Sequence, residues 1–210
     1  MPLANPELTE FTTASQAIIS YDWTNIADGT GNRLFYGFTT QDSTGINEHL
    51  STEAERSKTI ETTGSSGNNF VVTKDFDLTA FNLPTTIGGT GLVSFCIAAN
   101  MNIAGGTIIA SATLKNNTTI IATAISETYS AQINGGKDYI IMPMTINETT
   151  FQEGNVLRLT IRLTRAGTQT GTEYMSFTHD PLNRDGTYII PSTDGLTSQL
   201  KINIPFKPFN

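Results

Sequence analysis

The clearest pattern in the chain is VLRLTIRLT, Val156 to Thr164. Leu157, Leu159, Ile161 and Leu163 fall on one parity, and Arg158, Thr160, Arg162 and Thr164 on the other. Strict alternation of this kind predicts a strand with one dry face and one wet or partner-facing face. Gln199 to Phe206 repeats it with Leu200, Ile202, Ile204 and Phe206. Thr107 to Leu114 and Tyr139 to Ile146 repeat it again, and Pro143 marks the latter as an edge strand. Thr90 to Ala98 (TGLVSFCIA) is almost continuously apolar, which predicts a central strand covered on both faces.

Shorter strands are predicted at Ala17 to Trp23, Arg33 to Thr39, Lys58 to Thr62, Phe70 to Phe81, Ile120 to Ile125 and Glu173 to Thr178. Asn116-Asn117 reads as a hairpin turn, and Pro84 with Gly88-Gly89 as a break. Gly37 reads as a bulge or a point of close approach. Residues 40–56 are polar, and EHLSTEAERS is the one stretch with helical character, at most a short turn in a long loop. Residues 179–198 form a second long loop. The fold class expected is all-β: an antiparallel two-sheet sandwich of jelly-roll type, with about ten strands and little or no helix. An extended N-terminal arm is expected over residues 1–16 and the β-sandwich domain over 17–210.

Composition narrows the function. The net charge is -7 and the pI 4.7, a balance that repels nucleic acid. No run of 18 apolar residues is present, so no spanning helix is expected, and the first residues lack a signal-peptide pattern. The single cysteine, Cys96, lies in an apolar run and reads as a buried strand residue.

The candidate chemistry is sparse. His179-Asp180-Pro181, with Asn183 and Asp185, offers an imidazole and hard oxygens. A calcium clamp is one reading of these residues and turn chemistry the other; the zinc motifs HxH, HExxH and CxxC are absent. Nothing in the pattern selects a catalytic pair among Glu127, Glu148, Glu153 and Glu173. No nucleophile elbow or phosphate loop is present. No catalytic residue, metal or cofactor is therefore expected. Trp23, Phe35, Tyr36 and Phe38 form either a stacking platform for sugars or core. The basic side chains of the alternating strand, Arg158 and Arg162 with Arg165 just beyond, are the candidate partner interface, set against plain cross-strand pairing.

Several stretches resemble virion structural proteins of marine tailed phages. They are IISYDWTNIADGTGNRLFYGF, FDLTAFNLPTTIGGTGLVSF, EGNVLRLTIRL, HDPLNRDG and LKINIPFK, spread over most of residues 17 to 206. The resemblance implies a jelly-roll protein without enzymatic activity, acting as a capsid decoration (cement) protein on the outer shell. Its partners would be the major capsid protein or other virion proteins, with no nucleic acid and no membrane. Self-association as a trimer follows by analogy. The location implied is the capsid surface, and the host cytoplasm during assembly. A carbohydrate- or receptor-binding module of a tail or head fibre is the alternative. A β-sandwich hydrolase relying on His179 and Asp180 is a third reading.

Overall fold

The computed structural model describes residues 31–65, 71–100, 107–130, 136–166 and 174–207. The strand expected at Ala17 to Trp23 and the arm over residues 1–16 lie outside these. The described strands are β1 (Asn32–Gln41), β2 (Ile46–Ser51), β3 (Glu61–Ser65), β4 (Val71–Leu78), β5 (Thr85–Asn100) and β6 (Thr107–Asn116). They continue with β7 (Thr119–Ile125), β8 (Tyr129–Ser130), β9 (Gly136–Phe151), β10 (Leu157–Ala166), β11 (Tyr174–Thr178) and β12 (Leu200–Lys207). One helical turn, α1 (Pro191–Asp194), interrupts the loop between β11 and β12. Among the described residues no helix is long and apolar enough to cross a membrane.

The all-β expectation agrees with this structure, but the hydrogen bonds join all twelve strands into one mixed sheet rather than two. Its path is β3-β11-β5-β12-β1-β2-β4-β10-β6-β7, with β9 along the other side of β5 and β8 beside β6. The link that joins the two halves is short: β2 meets β4 in parallel at two positions only, His49 beside Asp77 and Leu50 beside Leu78. Every other pairing is antiparallel. The sheet curls so that β7 comes to lie against β9, and its concave side closes over one hydrophobic core.

Alternation builds that core. Leu157, Leu159, Ile161 and Leu163 of β10 are fully buried, as are Leu200 and Ile204 of β12. Each side chain of this size contributes roughly 2 kcal/mol when removed from water. Arg165 falls on the same parity as the four β10 residues and is 1 % exposed. β5 is covered on both sides, as its apolar run predicts. Val93, Phe95 and Ile97 face the main core, while Cys96 and Ala98 pack under Ile189 of the loop between β11 and β12. Burial pushes the Cys96 thiol up to about 11, so it stays protonated.

Three local expectations change. The stretch read as helical turn holds no helix: its first four residues belong to strand β2, whose backbone is paired to both β1 and β4 and which buries only Leu50 of its six residues, and the rest is loop. Gly88-Gly89 does not end a strand: β5 runs through it with a register shift, and Gly89 holds φ at +125°. The short strand expected from Lys58 starts at Glu61 instead. Gly37 is a close-approach point, since a Cβ there would overlap Leu200.

Candidate functional site

The sequence-derived candidates separate in the structure. Arg158 lies on the outer face of β10 and is taken by Asp77 of β4, Nε to Oδ1 at 2.6 Å and Nη2 to Oδ2 at 2.7 Å. Asp75 sits 3.6 Å from its Nη1, and these carboxylates hold the guanidinium above its ordinary pKa. Arg162 is exposed and forms no ion pair among the described residues. Arg165 is buried and engaged. The three therefore do not share one surface.

His179 and Asp180 are both fully buried. His179 follows the inward parity of β11 and sits among Phe76, Phe177 and Thr62, with Nε2 2.9 Å from Thr62 Oγ1. Nδ1 has no hydrogen-bond partner, and burial lowers the imidazole to about 4, so it is neutral near pH 7. Closed off from solvent, it has no route to a substrate. The oxygens that offered a calcium clamp as one reading serve the loop, in line with the turn-chemistry reading. Asn183 Oδ1 accepts from Ser198 N and Thr197 Oγ1, both at 2.8 Å. Asp185 accepts from Ser192 N at 3.1 Å and from Ser192 Oγ at 2.7 Å. Asp180 accepts from Arg184. Among the described residues no cluster of three or more metal-ligating side chains exists. Phe35 is in the core, Phe38 on the opposite parity is buried against His49, Tyr36 is half-buried, and Trp23 lies outside the described residues.

What the structure assembles is a basic cleft where the end of β1, the segment before β3 and the loop after β11 meet. It measures about 560 Å³ and is lined by Thr39, Thr40, Gln41, Arg56, Ser57, Lys58 and Arg184. Its floor is a knot of hydroxyls. Thr39 and Ser57, each 1 % exposed, exchange a 2.9 Å side-chain hydrogen bond, and Thr39 N donates to Ser57 Oγ. Thr59 N donates to Thr39 Oγ1 at 2.9 Å, and Ser57 Oγ donates to the Thr59 carbonyl at 2.6 Å. With Ser57 turned in, its neighbours Arg56 and Lys58 point out into solvent, on the two sides of it.

Arg184 is set from beneath. Its Nη2 donates to Asp180 Oδ1 at 2.7 Å and to the Ser57 carbonyl at 2.5 Å, and its Nε reaches both Asp180 oxygens. Nη1 takes no part in these bonds. A buried carboxylate thus aims a guanidinium that stays about a third exposed at the cleft.

Three cationic side chains line this cleft and no carboxylate does. Neither Arg56 nor Lys58 forms an ion pair among the described residues. On a chain of net charge -7 that is a local inversion of sign. Sequence reading overlooked all three. Arg56 and Lys58 sit beside Glu53 and Glu55 in a segment that reads as neutral overall, and HDPLNRDG drew notice for its oxygens alone.

No family profile matches the chain, and no curated protein sequence matches it. Among solved structures it is similar to an α-amino acid ester hydrolase, with TM-score 0.48, 11% identity and coverage of 84% of this chain and 36% of that one. An aminopeptidase from the marine sediment archaeon Thaumarchaeota archaeon gives TM-score 0.48 and 8% identity, over 82% of this chain and 36% of that one. A VP2 subviral particle of infectious bursal disease virus gives 0.34 and 8%, over 86% and 38%. The chain thus spans little more than a third of the length of these proteins.

This corrects the functional expectation. The stronger likenesses are to hydrolases and the viral shell protein aligns more weakly, so neither the non-enzymatic decoration protein nor the fibre module stands. A viral capsid likeness of the fold is present, and nothing in it is specific to tailed phages. No residue role is carried over from any of these structures.

Proposed function

We propose that this β-domain is a recognition module that binds an anionic group, a carboxylate or a phosphate, in the cleft between Arg56, Lys58 and Arg184. The observation that carries the reading is the absence of any acid among the cleft's lining residues, on a strongly acidic chain. An anion entering there replaces bulk water with three donors and touches no acidic side chain among the lining residues. Its volume of about 560 Å³ suits a small ligand or the end of a larger one. Arg184 is held in place before binding by Asp180, so less side-chain entropy is lost when the ligand arrives. The curled sheet supports the same reading: we infer a jelly-roll type arrangement, in which rigid strands present loops at one end.

Isothermal titration calorimetry with succinate and with inorganic phosphate tests this at low salt. Saturable binding is expected, weakening as salt rises. Arg56→Glu combined with Lys58→Glu should reduce affinity at least tenfold while leaving the urea midpoint unchanged, because both side chains are exposed. Absence of saturable heat with either anion, or equal affinity in the double variant, overturns the reading.

A further inference from the structure

We propose that the anion is the C-terminal carboxylate of an extended peptide, which adds to the sheet as an antiparallel strand on the free edge of β3. This rests on the anion-binding reading of the cleft and extends it to a partner.

β3 ends the strand order, so among the described residues one of its edges is unpaired. The register says which groups that edge exposes. His179 N donates to the Ile60 carbonyl at 2.9 Å, and the pairing continues through Phe177 with Thr62 and Met175 with Gly64. In an antiparallel pair the bonded positions alternate, so Ile60, Thr62 and Gly64 spend their backbone on β11. Glu61 and Thr63 then turn their N–H and C=O groups the other way, each offering a donor and an acceptor to an incoming strand.

A second recess, about 440 Å³, runs along this edge. Its lining includes Glu61 and Thr63 on one side and Asp185 to Thr187 on the other, and it shares Lys58 and Arg184 with the basic cleft. The two acids in it are already committed. Glu61 Oε1 accepts from Ile189 N at 2.7 Å, and Oε2 from Tyr188 N at 3.1 Å. Asp185 is held by Ser192. Neither forms an ion pair with the shared cations among the described residues, and the acid paired to Arg184 is Asp180. Gly186 is a point of close approach between the loop and β3, since a Cβ there would overlap the Glu61 carboxyl group.

Direction selects the peptide terminus. β3 runs from Glu61 to Ser65, so Lys58 lies before its start. A strand antiparallel to β3 brings its own C-terminus to that end, beside Lys58 and Arg184. A parallel strand would bring an amino group there, against two cations. Charge complementarity thus chooses the antiparallel partner with a free carboxylate. About five residues at ~3.3 Å each cover the distance from Lys58 to Thr63.

The test uses the full chain, succinate, and a library of pentapeptides made once with free C-terminal carboxylates and once as amides. The free-acid library is expected to give binders that the amide library does not. Thr63→Pro removes the outward N–H without touching the bonds to β11. It should weaken those peptides about tenfold while succinate binding is retained. Because that variant could also disturb folding, its urea midpoint is checked. The peptides are in addition N-methylated at alternate residues, which should abolish binding to the unaltered protein.

Succinate binding without any peptide binding overturns the strand addition and leaves the anion reading in place. If neither succinate nor peptide binds, both fall. Peptides that bind Thr63→Pro as well as the parent overturn the edge geometry. A concentration-dependent dimer in sedimentation that Thr63→Pro abolishes assigns the edge to a second copy of the chain and overturns the peptide.

Discussion

Two basic regions among the described residues, the outer face of β10 and the cleft, differ in where their counter-charges lie. On the outer face of β10, Arg158 meets Asp77 and Asp75 across the ladder to β4, and Lys115 of β6 reaches over β10 to within 3.9 Å of the same Asp75. The positive charge there is answered on the same surface. In the cleft the acid lies underneath. Asp180 is fully buried, and its partner Arg184 carries charge from the interior to the surface, where Arg56 and Lys58 add to it. A count of arginines by segment favours β10. The position of the carboxylates reverses that choice.

The sharpest way to break this comparison is to remove the linking guanidinium. Arg184→Ala strands the Asp180 carboxylate in the interior and also releases the Ser57 carbonyl. The expected loss is roughly 3 kcal/mol, read from urea unfolding near pH 7. Asp180→Asn in the Arg184→Ala background should recover a good part of it. An Arg184→Ala loss of less than about 1 kcal/mol would show that the pair does not organise the cleft.

A second difference is pH. The loop that carries Arg184 leaves the sheet at His179, which is buried and neutral, whereas the β10 face has no comparable group. Unfolded, this imidazole titrates near 6.5; folded, it is lowered to about 4 by burial, with Lys74 also disfavouring its charge and Asp180 favouring it. Between those values the unfolded state binds more protons. The contribution is therefore complete above about pH 6.5 and is lost as pH falls towards 4. It amounts to about 3 kcal/mol, at ~1.4 kcal/mol for each tenfold difference in proton affinity between the folded and unfolded chain. His179→Phe, placed among Phe76 and Phe177, should flatten the urea midpoint between about pH 7 and about pH 4.5 relative to the parent. Parallel curves for the two proteins would count against a neutral His179.

Much of the sheet could be read from parity alone. The inward residues of β6, β9, β10 and β12 are those that alternation selects, and Asn117 holds φ at 54° in the predicted hairpin. Arg165 is grouped in sequence with the outward Arg158 and Arg162, although its inward parity on β10 already points to the buried position it takes. β2 was not, because a strand that buries one residue in six leaves no periodic trace, and its pairing to β1 and β4 is decided by backbone bonds. The closure of one sheet, with β7 against β9, depends on partners far apart in sequence. The cleft failed to show for the same reason. Its cations come from two distant loops, and the feature that defines it, a lining without acids, belongs to no single segment.

The smallest effect expected is on β10, and it sharpens the contrast. Arg158 is bidentate to Asp77 but about a third exposed, and exposed pairs of this kind contribute only about 0.5 kcal/mol. A double-mutant cycle with Arg158→Ala and Asp77→Ala should return a coupling of that order, shrinking in about 1 M salt as screening shortens to ~3 Å. Arg162→Glu should change stability by less than about 0.5 kcal/mol, as an exposed substitution without an ion pair. It should also leave succinate affinity unaltered. If Arg162→Glu instead weakened succinate as strongly as the Arg56 and Lys58 reversals, the anion would be responding to the net charge of the whole chain. The cleft would then be no more than one cationic patch among others.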